Sequence, residues 1–383
     1  MKPNRAVKNK QEVLLREHVW KAPFYIISGL KFHAAGRIYT PKPLYCTLNM
    51  THRCNSRCVM CRYWRQQSYE NELKRDEIGD IFCNPLFDSI EKLVLSGGEP
   101  TLREDLVEVT RTILDSLPRV KEVALITNGL DPDLVVERVG ELLTIVNSRR
   151  HIQFAVSVSL DGYGEVHEKI RRVPRAFERV SETLYRLKEL KDRTPFYLCS
   201  TSVIQPLNIS SLPSLMKFAQ EIGLPVSFTP VCVSDFFTDN VTSRNSLKLS
   251  DDNLRELNEL VNNQLRPYLT LSNIPFWQEY FSLVSGGKRK IPCFLLRHFV
   301  LVDSNGLLRM CSASDDLIYG SVKEDSPDKI WYSQKAEDLR KRVSKHLCPT
   351  CDIQCDLAFT FTHEIFYYTR FWLKTKMRAL IGK

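Results

Sequence analysis

The chain has 383 residues, of which 43% are hydrophobic and 26% charged, and its formal net charge is +9. This composition is typical of a folded globular protein and excludes a disordered or low-complexity chain. No apolar run reaches the roughly 18 residues that a membrane-spanning helix needs, and the N-terminal stretch lacks the apolar core of a secretory signal peptide. Because nothing indicates secretion, the twelve cysteines point to metal binding rather than to disulfides.

Six short apolar runs alternate with amphipathic stretches between residues 44 and 231 and predict a parallel sheet. Runs rich in β-branched residues are typical of strands buried on both faces, and the stretches between them, such as 103–117 and 210–223, have a helical period. The pattern predicts an α/β fold: a partial (β/α)6 TIM-like barrel, with its chemistry at the carboxyl ends of the strands. The runs are LYCTLNM (44–50), KLVLS (92–96), VALIT (123–127), FAVSVSL (154–160), FYLCSTSVI (196–204) and VSFTPV (226–231).

Four polar motifs follow predicted strands, so we expect them to share one rim of the barrel. They are the cysteine loop MTHRCNSRCVMC (50–61), GGEP (97–100), TNG (127–129) and SLDG (159–162). No glycine-rich loop of the dinucleotide-binding or P-loop type interrupts the series, which disfavours those nucleotide folds.

The cysteine loop holds Cys54, Cys58 and Cys61 in the spacing C-x3-C-x2-C. Three thiolates on a [4Fe–4S] cluster leave one of its four irons open to a small molecule, whereas zinc would need a distant fourth ligand. On a six-unit parallel barrel, this triplet resembles the radical S-adenosylmethionine (SAM) superfamily. The resemblance implies that SAM chelates the open iron and is cleaved by one electron to methionine and a 5′-deoxyadenosyl radical, which abstracts hydrogen from a substrate. It also implies an electron donor such as flavodoxin or ferredoxin.

The same resemblance assigns SAM contacts to the other three motifs. It places Gly97, Gly98 and Glu99 along the methionyl group, with Glu99 accepting from the ammonium. It brings Thr127 or Asn128 to the ribose or the methionyl carboxylate, Ser159 to the ribose hydroxyls, and Arg171 to the carboxylate. The structural alternatives are ordinary turn dipeptides and a solvated arginine. We expect Asp161 to shape its turn and His52 to be a polar residue at the surface rather than a ligand.

A second cysteine set lies far downstream. Cys293 and Cys311 flank the hairpin turn Asn305-Gly306, which would fold them together, and Cys348, Cys351 and Cys355 follow as CPTCDIQC. A zinc ribbon is one interpretation. The set also resembles the twitch or SPASM auxiliary-cluster domain, which implies one further [4Fe–4S] cluster on Cys293, Cys311, Cys348 and Cys351. In this interpretation Cys355 either takes the place of Cys348 or Cys351 as a cluster ligand or remains a free thiol.

The remaining cysteines stand singly, and at least three of the four are predicted to be core residues, with Cys46 and Cys199 as weaker candidates for lining the barrel. They are Cys46, Cys83, Cys199 and Cys232.

The predicted order is an N-terminal extension with a candidate interfacial helix (1–43), the barrel (44–233), a helical linker (234–289), a small α+β auxiliary-cluster domain (290–358) and a basic aromatic helix (359–383). After Glu364 the last segment contains five basic residues, interspersed with aromatic residues. Such a helix either contacts an anionic membrane surface or packs on the protein. Nucleic-acid binding is disfavoured because no recognition motif accompanies the charge. We expect a cytoplasmic protein, with peripheral membrane contact as the alternative.

An auxiliary cluster implies oxidation or bond formation. The favoured substrate is a biosynthetic intermediate, namely a sugar, cyclitol or lipid-linked compound. The alternatives are a ribosomal-peptide maturase and a non-catalytic iron–sulfur or zinc-binding protein.

Overall fold

The computed structural model describes residues 27, 29–31, 34, 38–65, 69–236, 246–265, 273–352, 366, 369 and 370. The chain divides into two compact units. The larger unit consists of residues 42–250 and 298–341, and the smaller unit consists of residues 1–41, 251–297 and 342–383.

One nine-stranded sheet forms the larger unit, in the order β6-β5-β4-β3-β2-β1-β7-β8-β9. Strands β1 to β6 pair side by side in parallel, so their carboxyl ends lie along one edge. The sheet is open, with β6 and β9 as its outer strands. The α/β class and the parallel sheet are therefore confirmed. The strands are β1 (Tyr45–Thr51), β2 (Lys92–Gly97), β3 (Glu122–Thr127), β4 (Gln153–Ser159), β5 (Tyr197–Ile204), β6 (Val226–Pro230), β7 (Phe299–Val302), β8 (Leu307–Arg309) and β9 (Ile318–Ser321).

Helices connect the parallel strands and cover one face of the sheet. The third one shows why the sequence folds this way: Asp131 caps it by accepting from Leu134 N, Pro132 begins it, and its apolar residues recur at helical spacing and are buried. The helices are α1 (Arg75–Phe82), α2 (Leu106–Ser116), α3 (Pro132–Asn147), α4 (Glu165–Arg171), α5 (Ala176–Arg193), α6 (Leu212–Ile222), α7 (Asp251–Leu260), α8 (Asn273–Val284), α9 (Leu295–His298), α10 (Pro327–Tyr332) and α11 (Gln334–His346).

The last three strands extend the barrel sheet. β7 pairs in parallel with β1, from Tyr45 opposite Phe299 to Leu48 opposite Val302, and β8 and β9 follow antiparallel. The sequence predicts a domain boundary near residue 290, whereas the sheet continues through β7. The physical reason is that FVLV is buried along its whole length, as suits a strand inside a sheet.

The smaller unit contains α7, which runs into a π-helical turn at Val261–Leu265, and α8, whose Trp277 packs against Phe276 and Tyr280. The predicted N-terminal extension and C-terminal basic helix lie largely outside the described residues. Within the described part of the chain, no helix is both long and apolar enough to cross a membrane.

Candidate active site

The cysteine triplet lies on the loop that leaves the carboxyl end of β1. Cys58 is buried, Cys54 and Cys61 are partly buried, and all three are free thiols. Burial, together with a smaller contribution from the neighbouring Cys58, raises the pKa of Cys54 and of Cys61 to about 12. The three thiols therefore face one another in a site that disfavours uncompensated negative charge.

The last turn of α4 holds this loop in place. Arg57 N donates to Arg171 O (3.1 Å), and Val59 N donates to Ile170 O (2.9 Å). The Ser56 hydroxyl donates to the same Arg171 carbonyl (3.2 Å). Because these contacts involve backbone atoms at a helix end, they satisfy carbonyls that the helix itself leaves unpaired.

The two glycines of GGEP allow the end of β2 to pack on the backbone of the cysteine loop. Gly98 N donates to Thr51 O (2.8 Å) and Glu99 N to Arg53 O (2.7 Å). A Cβ on Gly98 would overlap the carbonyl group of Arg53, and one on Gly97 would lie 2.5 Å from Thr51 O. The chain itself therefore requires glycine here, whatever the ligand requires.

Glu99 ties the end of β2 to the end of β3. Its carboxylate is buried and accepts from Thr101 N (3.2 Å), Thr101 Oγ1 (2.7 Å), Thr127 Oγ1 (2.9 Å) and Asn128 N (2.6 Å). Burial raises the pKa of Glu99, and these hydrogen bonds oppose the rise. Four donors match the acceptor capacity of a carboxylate. The contact with the SAM ammonium that the resemblance implies stays a prediction.

Asn128 faces the cysteine loop. Its side-chain amide donates to Asn55 Oδ1 (2.7 Å) and to Cys54 Sγ (3.8 Å), while its Oδ1 accepts from Leu130 N (2.9 Å). Ser159, at the end of β4, is half-buried. The rim therefore brings the triplet, GGE and Asn128 together.

Arg171 and Asp161 form a buried ion pair beside the triplet. Arg171 Nη1 donates to Cys58 Sγ (3.4 Å), and its Nη2 lies 2.7 Å from Asp161 Oδ2. Burial opposes the charge on Arg171, but Asp161 and Cys58 raise its pKa above the ordinary value. Asp161 also accepts from Val203 N (2.8 Å). The Asp161 carboxylate thus binds β5 and Arg171 rather than the backbone of its own turn, contrary to the expectation. The sequence shows no signal for the pairing with Arg171 because α4 must first fold back onto the loop.

These surroundings fit a thiolate-ligated cluster. A bound metal deprotonates its thiol ligands, and N–H donors to sulfur, such as those of Arg171 and Asn128, stabilise the resulting charge. In the described residues, no three His, Cys, Asp or Glu side chains lie close enough to share a single metal ion.

His52 is buried, although the sequence predicts a polar residue at the surface. Its Nε2 lies 2.9 Å from Oδ1 of Asp303, the residue that follows β7. Asp303 is a site residue that the sequence did not identify, because its position depends on the pairing of β7 with β1.

The second cysteine set is divided between the two units. Cys293, Cys348 and Cys351 belong to the smaller unit, Cys311 belongs to the larger unit, and Cys355 lies outside the described residues. A hydrogen bond with Cys348 lowers the pKa of Cys293 to about 6, although burial opposes this shift. The lowered pKa favours the thiolate form of Cys293, which is the form that binds metal.

The face of β4 and β5 that lies away from the helices is polar. Val158 contacts Gly129 beneath α5 and is buried, so the alternating residues Ser157 and Ser159 point to the opposite face. There Ser157 Oγ lies 2.5 Å from Thr201 Oγ1, and both hydroxyls lower the pKa of the Cys199 thiol, although burial raises it overall. Cys46, by contrast, is fully buried in the core, and Cys83 is exposed.

Two family models match the chain. The radical SAM superfamily model covers residues 48–219, and the iron–sulfur cluster-binding (SPASM) domain model covers residues 293–356. The chain carries a radical SAM domain and, after it, a SPASM domain. A radical SAM domain followed by a SPASM domain implies a [4Fe–4S] cluster that binds SAM and an auxiliary iron–sulfur cluster.

The curated relatives of this radical SAM chain are enzymes with different names. A probable GTP 3′,8-cyclase of Methanocaldococcus jannaschii is 30% identical over 178 residues, which is 46% of this chain and 55% of that protein. An AdoMet-dependent heme synthase of Methanosarcina barkeri is 32% identical over 188 residues, covering 48% of this chain and 49% of that protein. The chain thus spans about half the length of the curated relatives that it matches.

Solved structures share the fold of this radical SAM chain. Streptococcus suis SuiB bound to S-adenosylmethionine matches with a TM-score of 0.58 at 14% identity, over 90% of this chain and 79% of that one. Native anSMEcpe with bound AdoMet matches with a TM-score of 0.58 at 16% identity, over 87% of this chain and 99% of that one. At these identities the likeness concerns the fold alone.

Proposed function

We propose that this protein cleaves SAM reductively and uses the product to abstract hydrogen from a small biosynthetic intermediate, which it oxidises or joins by a new bond. The observation that carries the proposal is the convergence of the thiol triplet with Asn128 and Arg171, which donate to two of its sulfurs. A non-catalytic scaffold has no use for three thiols that leave one iron open.

In this proposal Cys54, Cys58 and Cys61 hold the SAM cluster, and Arg171 offsets the negative charge of Cys58. When bound, the cluster supplies the electron that splits SAM into methionine and a 5′-deoxyadenosyl radical. Gly97, Gly98 and Glu99 form the wall of the methionyl site, and Asn128 and Ser159 supply polar groups for the rest of the cofactor. An external protein such as flavodoxin or ferredoxin delivers the electron.

The auxiliary cluster is assigned to Cys293, Cys311, Cys348 and Cys351, with Cys355 as the alternative for one of the last two. The thiolate character of Cys293 supports a ligand role, because thiolates and not thiols bind metal. We also propose the domain order barrel (44–233) followed by auxiliary-cluster domain (290–358), and the order of the two family models along the chain, at residues 48–219 and 293–356, supports it.

The polar face of β4 and β5 supports an uncharged, hydroxyl-bearing substrate such as a sugar, a cyclitol or the head of a lipid-linked compound. Ser157, Thr201 and Cys199 offer neutral donors and acceptors. A neutral polar lining favours hydroxyl groups over multiply charged phosphates.

Anaerobic reconstitution followed by an assay for 5′-deoxyadenosine tests the first part. The wild-type protein is expected to form 5′-deoxyadenosine from SAM in the presence of dithionite. The Cys54→Ala/Cys58→Ala/Cys61→Ala variant is expected to form none. No product from a wild type with verified clusters would favour the non-catalytic iron–sulfur or zinc protein.

Deuterium transfer tests the substrate class. A fully deuterated cell extract that contains the substrate labels 5′-deoxyadenosine when hydrogen is abstracted. Labelling that survives protease treatment of the extract supports a small molecule, whereas labelling lost on that treatment identifies the ribosomal-peptide maturase.

A further inference from the structure

A buried carboxylate joins two distant parts of the larger unit. β7 runs parallel to β1, so Asp303 emerges at the same edge of the sheet as Asn49 and His52. This placement connects the start of the cysteine loop with the hairpin that leads to Cys311.

Asp303 accepts hydrogen bonds from both sides of this junction. On the loop side, its Oδ1 lies 3.1 Å from Asn49 Nδ2 and 2.9 Å from His52 Nε2. On the hairpin side, its Oδ2 accepts from Arg309 Nε (3.0 Å), and Ser304 N donates to Oδ1 (3.0 Å). We call Asn49, His52, Asp303 and Arg309 the Asp303 clamp.

The clamp is closed to solvent. Asp303 is 3% exposed, and its three clamp partners are at most 6% exposed. A buried carboxylate is costly unless it is paired and hydrogen-bonded, and removing one partner of such an arrangement strands the others. The geometry of all four residues is therefore fixed together.

The clamp continues outward on both sides. Asn49 Nδ2 also donates to the buried Tyr63 hydroxyl (2.8 Å), beyond the far end of the cysteine loop. Arg309 Nη1 lies 3.1 Å from Asp315 Oδ1, which also pairs with Arg62 at 2.8 Å. The cysteine loop is thus bonded, both before Cys54 and after Cys61, to residues that lie on either side of Cys311 in the sequence.

We propose that Asp303 is a positioning residue that holds the loop of Cys54, Cys58 and Cys61 in a fixed orientation relative to the strand that leads to Cys311. The inference rests on the proposed function, since it concerns segments assigned to the two clusters. In the described residues no hydrogen bond joins Asp303 to Cys54, Cys58 or Cys61, so Asp303 acts through Asn49, His52 and Arg309.

The test compares the Asp303→Asn variant with wild type, both as fully reconstituted proteins. The measured quantity is the change that SAM produces in the electron paramagnetic resonance (EPR) signal of the reduced cluster, divided by the amount of iron bound. The substitution keeps the size of the side chain but replaces an acceptor by a donor facing Arg309 or His52. We expect a roughly tenfold smaller SAM-dependent change, as is common when outer residues of a metal site are altered. An unchanged response would overturn the proposal.

Two further variants separate positioning from simple destabilisation. His52→Gln breaks the clamp from the loop side and is expected to reduce the response several-fold, with the double variant no worse than Asp303→Asn alone. Val139→Ala, in the core of α3, lowers stability without touching the clamp and is expected to keep the wild-type response. If Asp303→Asn fails to fold, a wild-type response in His52→Gln overturns the proposal.

The outcome also distinguishes this inference from the proposed function. A wild type whose reduced signal ignores SAM contradicts both. A wild type that responds, together with clamp variants that respond equally, contradicts the positioning role alone.

Discussion

Individual residues around the triplet act mainly by compensating buried charge. Asp161 is fully buried, and its pKa is raised by burial even though Arg171 opposes the shift. The pair therefore holds together because each charge would be costly without the other.

Arg171→Met is expected to lower the free energy of unfolding of the metal-free protein by about 3–5 kcal/mol, because it leaves the Asp161 carboxylate unpaired. The double variant Arg171→Met/Asp161→Leu removes both charges and should recover most of that loss. Urea unfolding followed by circular dichroism measures both. If the single and the double variant lose the same free energy of unfolding, the unpaired Asp161 carboxylate is not the cause of the loss.

The thiols are expected to differ in reactivity. In metal-free protein, Cys293 with a pKa of about 6 is a thiolate at pH 7.5, whereas Cys54 and Cys61 with pKa values of about 12 are neutral. Iodoacetamide labelling read by mass spectrometry should therefore modify Cys293 first. Since only the thiolate reacts, its rate should fall about tenfold per pH unit below pH 6. Equal rates at the three sites would contradict this assignment, and cluster loading should protect all of them.

At the scale of elements, the contact between the end of β2 and the cysteine loop is decisive. Gly98→Ala places a methyl group against the Arg53 carbonyl and should move the loop, with loss of cluster content. Gly140→Ala is the matched control. Gly140 lies within α3 with open space around it, so alanine there should stabilise the protein by about 0.5–1 kcal/mol. Iron analysis and thermal unfolding of both variants test these expectations. Normal iron content in the Gly98→Ala variant would contradict the prediction that the loop moves.

The strands were predictable because local pattern determines them. The runs at 92–96 and 123–127 lie within β2 and β3, since continuous apolar residues favour strands buried on both faces. The pairing of β7 with β1 was not predictable, because the sequence FVLV carries no information about which strand of the sheet it pairs with. Asp303, His52 and the Asp161–Arg171 pair depend on such long-range placement, and the sequence therefore did not reveal them, whereas the cysteine spacing did indicate the triplet.

At the scale of the whole molecule, cofactor binding should couple to stability. A ligand that binds only the folded state adds about 2.7 kcal/mol at one hundred times its dissociation constant. SAM should therefore raise the unfolding temperature of the reconstituted wild type under anaerobic conditions. It should leave Cys54→Ala/Cys58→Ala/Cys61→Ala unchanged, and a similar rise in that variant would mean that SAM binds elsewhere.

The central claim is that Cys54, Cys58 and Cys61 leave one iron open and that SAM completes its coordination. Electron–nuclear double resonance of the reduced protein with SAM labelled by ¹⁷O in its carboxylate measures that contact directly. We expect a hyperfine coupling from ¹⁷O to the cluster in wild type and none in the triple alanine variant. Absence of coupling in a wild type that carries the cluster and binds SAM, or the same coupling in both proteins, would contradict the account.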